Sequence, residues 1–508
     1  MNHYLSTLFS NKDSRKFVVF LSCLCFLYII PIVLADRYYI DDMGRGQYGY
    51  YNWADNGRPL ADFILSFLVG GDRLTNASPL FLFFGTVCFI FCCYEYHKSN
   101  PCLDMSVTAK KAWPFMSGLV FFYIYANPFM LENISYKFDS LPMLLSLSIL
   151  LMAFVKRPGL YEKLIPIIIV IASLSLYQAS IGMFVCLAVI ECVRYISTNE
   201  RKSACDVLKL PFVRITQLII AYVIYAKLIQ PLYLIGEYNY SHSELIEFNF
   251  NGLEVFVRNA LIYIDKIKDV ALVFKYQFIV LSIFFVIHSF IVMRRLISNE
   301  GGINAAVVVS LLIVTLSPVI VLMSSFGHLS LLESPVFASR TLISFGGFLF
   351  YLAYASHQVL CRWRVGRAFS LIVCVYFFIA SYSYGNALKA QKERDLFIAS
   401  AIVSKIHEID FNGIKSVKIF GSQPSSTIRD SVIVKYKYMS DLIPLHMVNG
   451  WSWGGSMLAL SGLKNSFELG VNLDDVCKAK ISYKSREFFI RELDNILIVD
   501  FANPECKD

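Results

Sequence analysis

Apolar runs recur along this chain at about 17–35, 79–95, 112–131, 141–155, 164–176, 179–193, 210–229, 272–293, 305–323, 341–356 and 368–384. A helix needs roughly 20 apolar residues to cross a hydrocarbon core about 30 Å thick, and its backbone groups must be satisfied within the segment. The pattern predicts a polytopic α-helical membrane protein with about eleven transmembrane helices over residues 1–384. Hydrophobic residues make up 56% of the chain and charged ones 17%, which excludes an ordinary soluble domain. The formal net charge of +8 does not point to nucleic acid, because the cations gather in short clusters between apolar runs.

Those clusters are Lys12, Arg15 and Lys16; Lys98, Lys110 and Lys111; Lys156, Arg157 and Lys163; Arg194, Arg201 and Lys202; Arg294 and Arg295; and Arg362, Arg364 and Arg367. Taken as cytoplasmic stops, they put the N-terminus in the cytoplasm and the C-terminus outside. Residues 9–35 lack a small-residue cleavage site and are expected to stay as an anchor. Residues 164–195 would run to roughly 48 Å as one helix, so two short helices turning at Tyr177 and Gln178 are expected instead. The segment Pro59–Val69, roughly 16 Å long as a helix, is too short to cross and should lie in the interface. Its Pro59 start, next to Arg58, offers free N–H groups to an anion. Residues 252–270 have helical periodicity and suit a lid lying flat on the membrane.

Beyond residue 384 the composition becomes that of a soluble α/β domain, 385–508, expected outside the membrane. An amphipathic helix is predicted over 386–409 and strands over 416–420, 431–434 and 495–499. Of the thirteen cysteines, Cys477 and Cys506 fall in this region and are expected to form a disulfide. No cysteine or histidine spacing suggests a metal site.

The chemistry concentrates in residues 38–62, YYIDDMGRGQYGYYNWADNGRPLAD, which follow the first apolar run. Asp41 and Asp42 lie just past the expected bilayer edge, where a carboxylate can act as general base toward a substrate hydroxyl. Adjacent side chains point in different directions, so one should face the reaction while the other orients it or binds substrate. Arg45 is spaced to pair with them. Residues 132–139 bring Glu132, Lys137 and Asp139 to the same level, and Gln178 tops the short hairpin. Arg340 is a cation on the outer side, where cations are disfavoured. Together with Arg58 and Lys137 it is expected to surround an anionic lipid group. The tryptophans of NGWSWGG, Trp451 and Trp453, offer flat faces suited to a sugar.

The acidic pair, the W-x4-RPL pattern from Trp53 to Leu60, the NISYKFDSLPM segment from Asn133 to Met143 and an outer α/β domain together resemble one family. These are the Gtr glucosyltransferases that modify lipopolysaccharide O-antigen in serotype conversion, within the polyprenyl-phosphate-dependent GT-C class. The resemblance is strongest from about 36 to 190. It implies an undecaprenyl-phosphate-glucose donor, an O-antigen sugar hydroxyl as acceptor, and transfer on the periplasmic side of the bacterial inner membrane. It also implies an aspartate base on the first outer loop, Asp41 or Asp42, with no cofactor and no nucleotide. A donor-making glucosyltransferase and a lipid flippase are its implied functional partners. The alternatives are a flippase or a polymerase of lipid-linked O-antigen. A flippase would need polar groups at mid-bilayer, and a polymerase is expected to use later loops.

Overall fold

The computed structural model describes residues 12–100, 114–197, 203–300, 302–360 and 364–504, without the side chains of 114, 115, 300 and 364–369. Lys110, Lys111, Arg201, Lys202 and Arg362 of the expected cytoplasmic clusters lie outside the described residues. The chain is mainly helical. Its principal helices are α1 (Lys12–Ala35), α2 (Asp42–Tyr48), α3 (Pro59–Val69), α4 (Leu80–Ser99), α5 (Pro114–Tyr125), α6 (Ser140–Met152), α7 (Tyr161–Leu176) and α8 (Gly182–Ile196). They continue with α9 (Ala204–Ile224), α10 (Phe250–Val273), α11 (Lys275–Glu300), α12 (Ala305–Ser324), α13 (Phe345–Leu360), α14 (Arg364–Ile409), α15 (Thr427–Lys435) and α16 (Ser452–Leu460). The strands are β1 (Ser416–Phe420), β2 (Lys480–Lys484), β3 (Phe489–Leu493) and β4 (Ile496–Asp500).

Each of the eleven apolar runs contributes to a helix, but among the described residues seven helices are long and apolar enough to cross a membrane. Helices α5, α6, α7 and α13 have 12, 13, 16 and 16 residues. At 1.5 Å per residue their described parts reach about 18–24 Å, short of a 30 Å core. The 126–131 end of the third run is not helical with α5, because Asn127 and Pro128 follow its last turn. Between α7 and α8 the chain breaks where expected, at Tyr177, whose backbone is extended (φ −162°, ψ 106°).

Helix α1 buries Phe17, Leu21, Cys25, Tyr28, Ile29 and Ile32, a stripe at helical spacing that packs on α5 and α14. The close approach of α14 depends on Gly385, where a Cβ would stand 2.5 Å from that of Pro31. Serine and threonine hydroxyls tie helices together, as in Ser381 to the Tyr28 carbonyl (2.6 Å), Thr86 to Tyr125 (2.7 Å) and Ser317 to Tyr351 (2.6 Å).

The expected 386–409 helix is the second part of α14, which runs for 46 residues, roughly 69 Å, through the 384/385 boundary without a break. Its Ile398, Ala399, Ile402, Val403 and Ile406 pack against a four-stranded sheet of order β1-β4-β3-β2. Strand β1 lies parallel to β4, with Val417 opposite Leu497 and Ile419 opposite Val499, while β3 is antiparallel to β4 and β2 to β3. The first and last predicted strands are thus present, the last shifted by one residue. The predicted strand at 431–434 is helical instead and lies within α15. There Ser426 caps the helix by accepting from the Arg429 N–H (3.2 Å), and the β-branched run Val432, Ile433, Val434 has no sheet neighbour, Val434 being 88% exposed. Met43, in α2, is buried in the same core as the sheet. Cys477 is disulfide-bonded, and its expected partner Cys506 lies outside the described residues.

Candidate active site

The loop after α1 folds into α2, which begins at the acidic pair, and the two aspartates part company there. Asp42 is fully buried. Its Oδ2 accepts from the N–H groups of Tyr39 (3.0 Å) and Lys137 (2.8 Å), and its Oδ1 from that of Phe138 (3.3 Å). The side chain therefore clips the first loop to residues 137 and 138. Burial pushes its pKa up to about 8, assisted by the Asp139 charge and opposed by the backbone donors. Asp41, at the N-cap position, is half-buried and makes no side-chain capping bond. Its charge reaches Arg45, Tyr50, Tyr136 and Arg340.

Arg45 does not serve the acidic pair alone. Its guanidinium lies 4.1 Å over the Trp53 ring and 5.4 Å over that of Tyr50, with Nη1 3.8 Å from Asp139 Oδ2. Trp53 Nε1 donates to Asp139 Oδ1 at 2.6 Å. Asp62, one turn into α3, accepts from the N–H groups of Trp53 (3.0 Å) and Ala54 (2.7 Å). Residues of the two loops thus form a closed box of Arg45, Trp53 and Asp139.

Buried Glu132 pairs with the partly exposed Arg340. Arg340 donates through Nη1 to Oε1 (2.9 Å) and through its backbone N–H to Oε2 (2.6 Å). Burial raises the Glu132 pKa although the guanidinium beside it opposes the shift. Arg58 donates through Nε to Gln178 Oε1 (2.8 Å) and lies 4.7 Å over the Tyr177 ring. Gln178 in turn donates to the Asn56 carbonyl and to the Tyr225 hydroxyl, both at 2.9 Å. Tyr177 donates to the Arg340 carbonyl (3.2 Å), so Arg58 and Arg340 both contact this tyrosine.

Lys137 does not share that place. Its ammonium pairs with Asp36, which also holds Lys392 (3.1 Å), and lies 4.8 Å from the Tyr38 ring centroid. Of the three cations expected around one anion, Lys137 is thus drawn off by a carboxylate. At the N-terminus of α3, Arg58 extends toward Gln178 and Tyr177, while the first turn carries the Asp62 carboxylate. The anion expected at that helix end would meet this negative charge.

Trp451 and Trp453 sit edge to face, 4.6 Å between centroids, on the C-terminal unit, where α16 packs on α2 and Gln47 donates to the Ser456 carbonyl (2.7 Å). Trp451 is 43% exposed, whereas Trp453 packs against the core. The glycines after Trp453 serve packing: a Cβ on Gly454 would stand 2.6 Å from Ile419 Cδ1.

Sequence reading passed over the network that joins the first loop to the C-terminal unit. Arg37 donates to Asp395 Oδ2 (2.8 Å) and the Pro444 carbonyl (2.6 Å); Asp395 Oδ1 accepts from Gln391 (2.7 Å) and Gln423 (2.5 Å). His446 Nδ1 is 3.4 Å from Asp395 Oδ2. Arg37, a cation at the far end of the first apolar run from its basic cluster, carried the signal that marked Arg340. Among the described residues no group of three or more His, Cys, Asp or Glu is arranged to hold a metal ion.

The cluster offers a half-buried carboxylate, the ion pairs Arg45–Asp139 and Arg340–Glu132, and Arg58 over the Tyr177 ring, a constellation suited to proton removal next to an anionic leaving group. No solved structure matches the chain. A protein of Salmonella phage P22, described as an uncharacterized 55.3 kDa protein in the gtrB 5' region, is 28% identical over 473 residues, 90% of this chain and 93% of its own length. The profile described as Glucosyl transferase GtrII matches residues 30–351, which run from the end of α1 into α13 and include both loops of the site and Arg340, and the chain therefore belongs to the GtrII glucosyl transferase family.

Proposed function

We propose that this glycosyltransferase moves glucose from undecaprenyl-phosphate-glucose to a sugar hydroxyl of lipopolysaccharide O-antigen, at the periplasmic face of the bacterial inner membrane. In this reading the N-terminus is cytoplasmic and the α/β domain, 385–508, is periplasmic. The observation that carries the assignment of roles is the difference between the two aspartates. Asp42 is consumed by three backbone N–H groups, whereas Asp41 is half-buried, without a capping bond, and within electrostatic reach of Arg340. Asp41 is then the general base and Asp42 a positioning group.

Asp41 takes the proton of the acceptor hydroxyl as its oxygen attacks the sugar carbon that bears phosphate. The bond from that carbon to the phosphate oxygen breaks, and its electron pair leaves with undecaprenyl phosphate. Arg58, over the Tyr177 ring, and Arg340, over the Tyr136 ring, meet the growing phosphate charge. Trp451 offers an exposed aromatic face to the acceptor sugar, and Arg45 with Asp139 holds the loop that carries the base. The test is to supply purified protein with undecaprenyl-phosphate-[14C]glucose and lipopolysaccharide. Label should enter the polysaccharide without any nucleotide sugar; entry only when UDP-glucose is supplied would reject the donor.

A further inference from the structure

The groups that line the site are satisfied unevenly. Tyr39 donates to the Leu442 carbonyl (2.8 Å), Tyr177 to the Arg340 carbonyl and Tyr384 to the Leu442 carbonyl (3.1 Å). Tyr136 does not follow them. It is 2% exposed, stacks at a tilt on Tyr39 with centroids 4.7 Å apart, and has the Arg340 guanidinium 5.6 Å from its ring centroid. Its hydroxyl has no hydrogen-bond partner. A buried hydroxyl left so is costly, which makes it a group in need of an explanation.

Its surroundings supply one. The charges of Arg340, Asp41, Glu132 and Asp139 all reach this hydroxyl. Three further buried atoms of the same residue cluster, Arg45 Nε, Asn133 Oδ1 and Asp139 Oδ2, also lack hydrogen-bond partners. Burial raises the tyrosine pKa well above its ordinary value, so the group carries its proton and can donate it. Arg340 is already matched in charge by Glu132, so a neutral donor beside it adds a contact that no carboxylate of the protein has claimed.

We propose that Tyr136 is a substrate-contacting residue whose hydroxyl donates a hydrogen bond to a phosphate oxygen of the polyprenyl-phosphate leaving group, next to Arg340. The inference rests on the donor named above. Tyr136 keeps its proton throughout, and the bond strengthens as the electron pair of the broken sugar–oxygen bond settles on the phosphate. It therefore acts more on the transition state than on binding.

The test compares the full-length protein with Tyr136→Phe in lipid nanodiscs, using undecaprenyl phosphate as binding probe and undecaprenyl-phosphate-glucose as substrate. The lost hydroxyl has no partner in the free protein, so Tyr136→Phe should melt at or above the wild-type temperature. Its kcat should fall about 10- to 100-fold, below the 10²–10³ seen for a main oxyanion donor, with KM changed much less. The melting shift produced by undecaprenyl phosphate should shrink. A wild-type kcat overturns the proposal. So does a lower kcat that comes with a lower melting temperature and an undiminished ligand shift, the signature of a packing role. If undecaprenyl phosphate leaves wild-type protein unshifted while the hexosyl donor is still turned over, the phosphate contact is overturned. If the hexosyl donor is not turned over at all, it is the donor assignment that falls.

Discussion

Replacing Asp42 separates its two possible states. With a folded pKa of about 8, raised first by burial, the side chain is protonated at neutral pH, and Asn reproduces that neutral form in shape. Asp42→Asn keeps an oxygen for the Tyr39 and Lys137 donors and loses mainly the long contact to Phe138, about 1 kcal/mol. Asp42→Ala strands those donors in a buried place, at roughly 3–5 kcal/mol. The sign of the pH dependence follows from the raised pKa. An unfolded aspartate titrates near pH 3.9, so the contribution of Asp42 to stability is complete below about pH 4 and is lost as pH rises toward 8. At 1.36 kcal/mol for each pH unit of that window, the loss reaches about 5 kcal/mol. Asn cannot titrate. Apparent melting temperatures of wild type and Asp42→Asn, taken at one scan rate from pH 4.5 to 8.5, should therefore cross, with the variant the more stable at high pH. Parallel curves, or a wild type that gains on the variant as pH rises, would refute the protonated clip.

Arg340→Gln should leave Glu132 buried and unpaired, at about 3–5 kcal/mol, and the double variant with Glu132→Gln should melt near the wild-type temperature while still failing to bind undecaprenyl phosphate. Asp395→Ala removes the acceptor of buried Arg37 and of two glutamines, so protease sensitivity of the C-terminal unit should rise and stability fall by about 3–5 kcal/mol. Cys477 should be recovered bonded to Cys506 in a non-reduced peptide map, and Cys506→Ser should cost roughly 3 kcal/mol.

What was legible in the chain was what depends on near neighbours. Apolar runs, the turn at Tyr177 and the Pro59 start of α3 are local patterns, and the structure places helices and breaks there. So is β1, whose alternation predicts Ser416–Phe420 to the residue. Residues 431–434 show the limit of local reading, since a β-branched run makes a strand only if another strand lies beside it. The acidic pair was conspicuous, but the burial of Asp42 is decided by N–H groups 95 and 96 residues away. Lys137 went to Asp36, and not to the arginines, for a similar reason: its partner stands 101 positions off. The Arg37–Asp395 contact spans 358 positions and carries no local signature beyond a cation on the unexpected side.

The most direct test of the account is the initial rate of glucose transfer from undecaprenyl-phosphate-glucose by Asp41→Asn, with binding of undecaprenyl phosphate measured on the same preparation. Loss of a general base predicts a rate lower by about 10²–10⁴, or roughly 3–5 kcal/mol of barrier, with that binding retained. Asp42→Asn, as a positioning group, should lose far less. A rate within a few-fold of wild type for Asp41→Asn at matched protein level would contradict the assignment of Asp41 as the base.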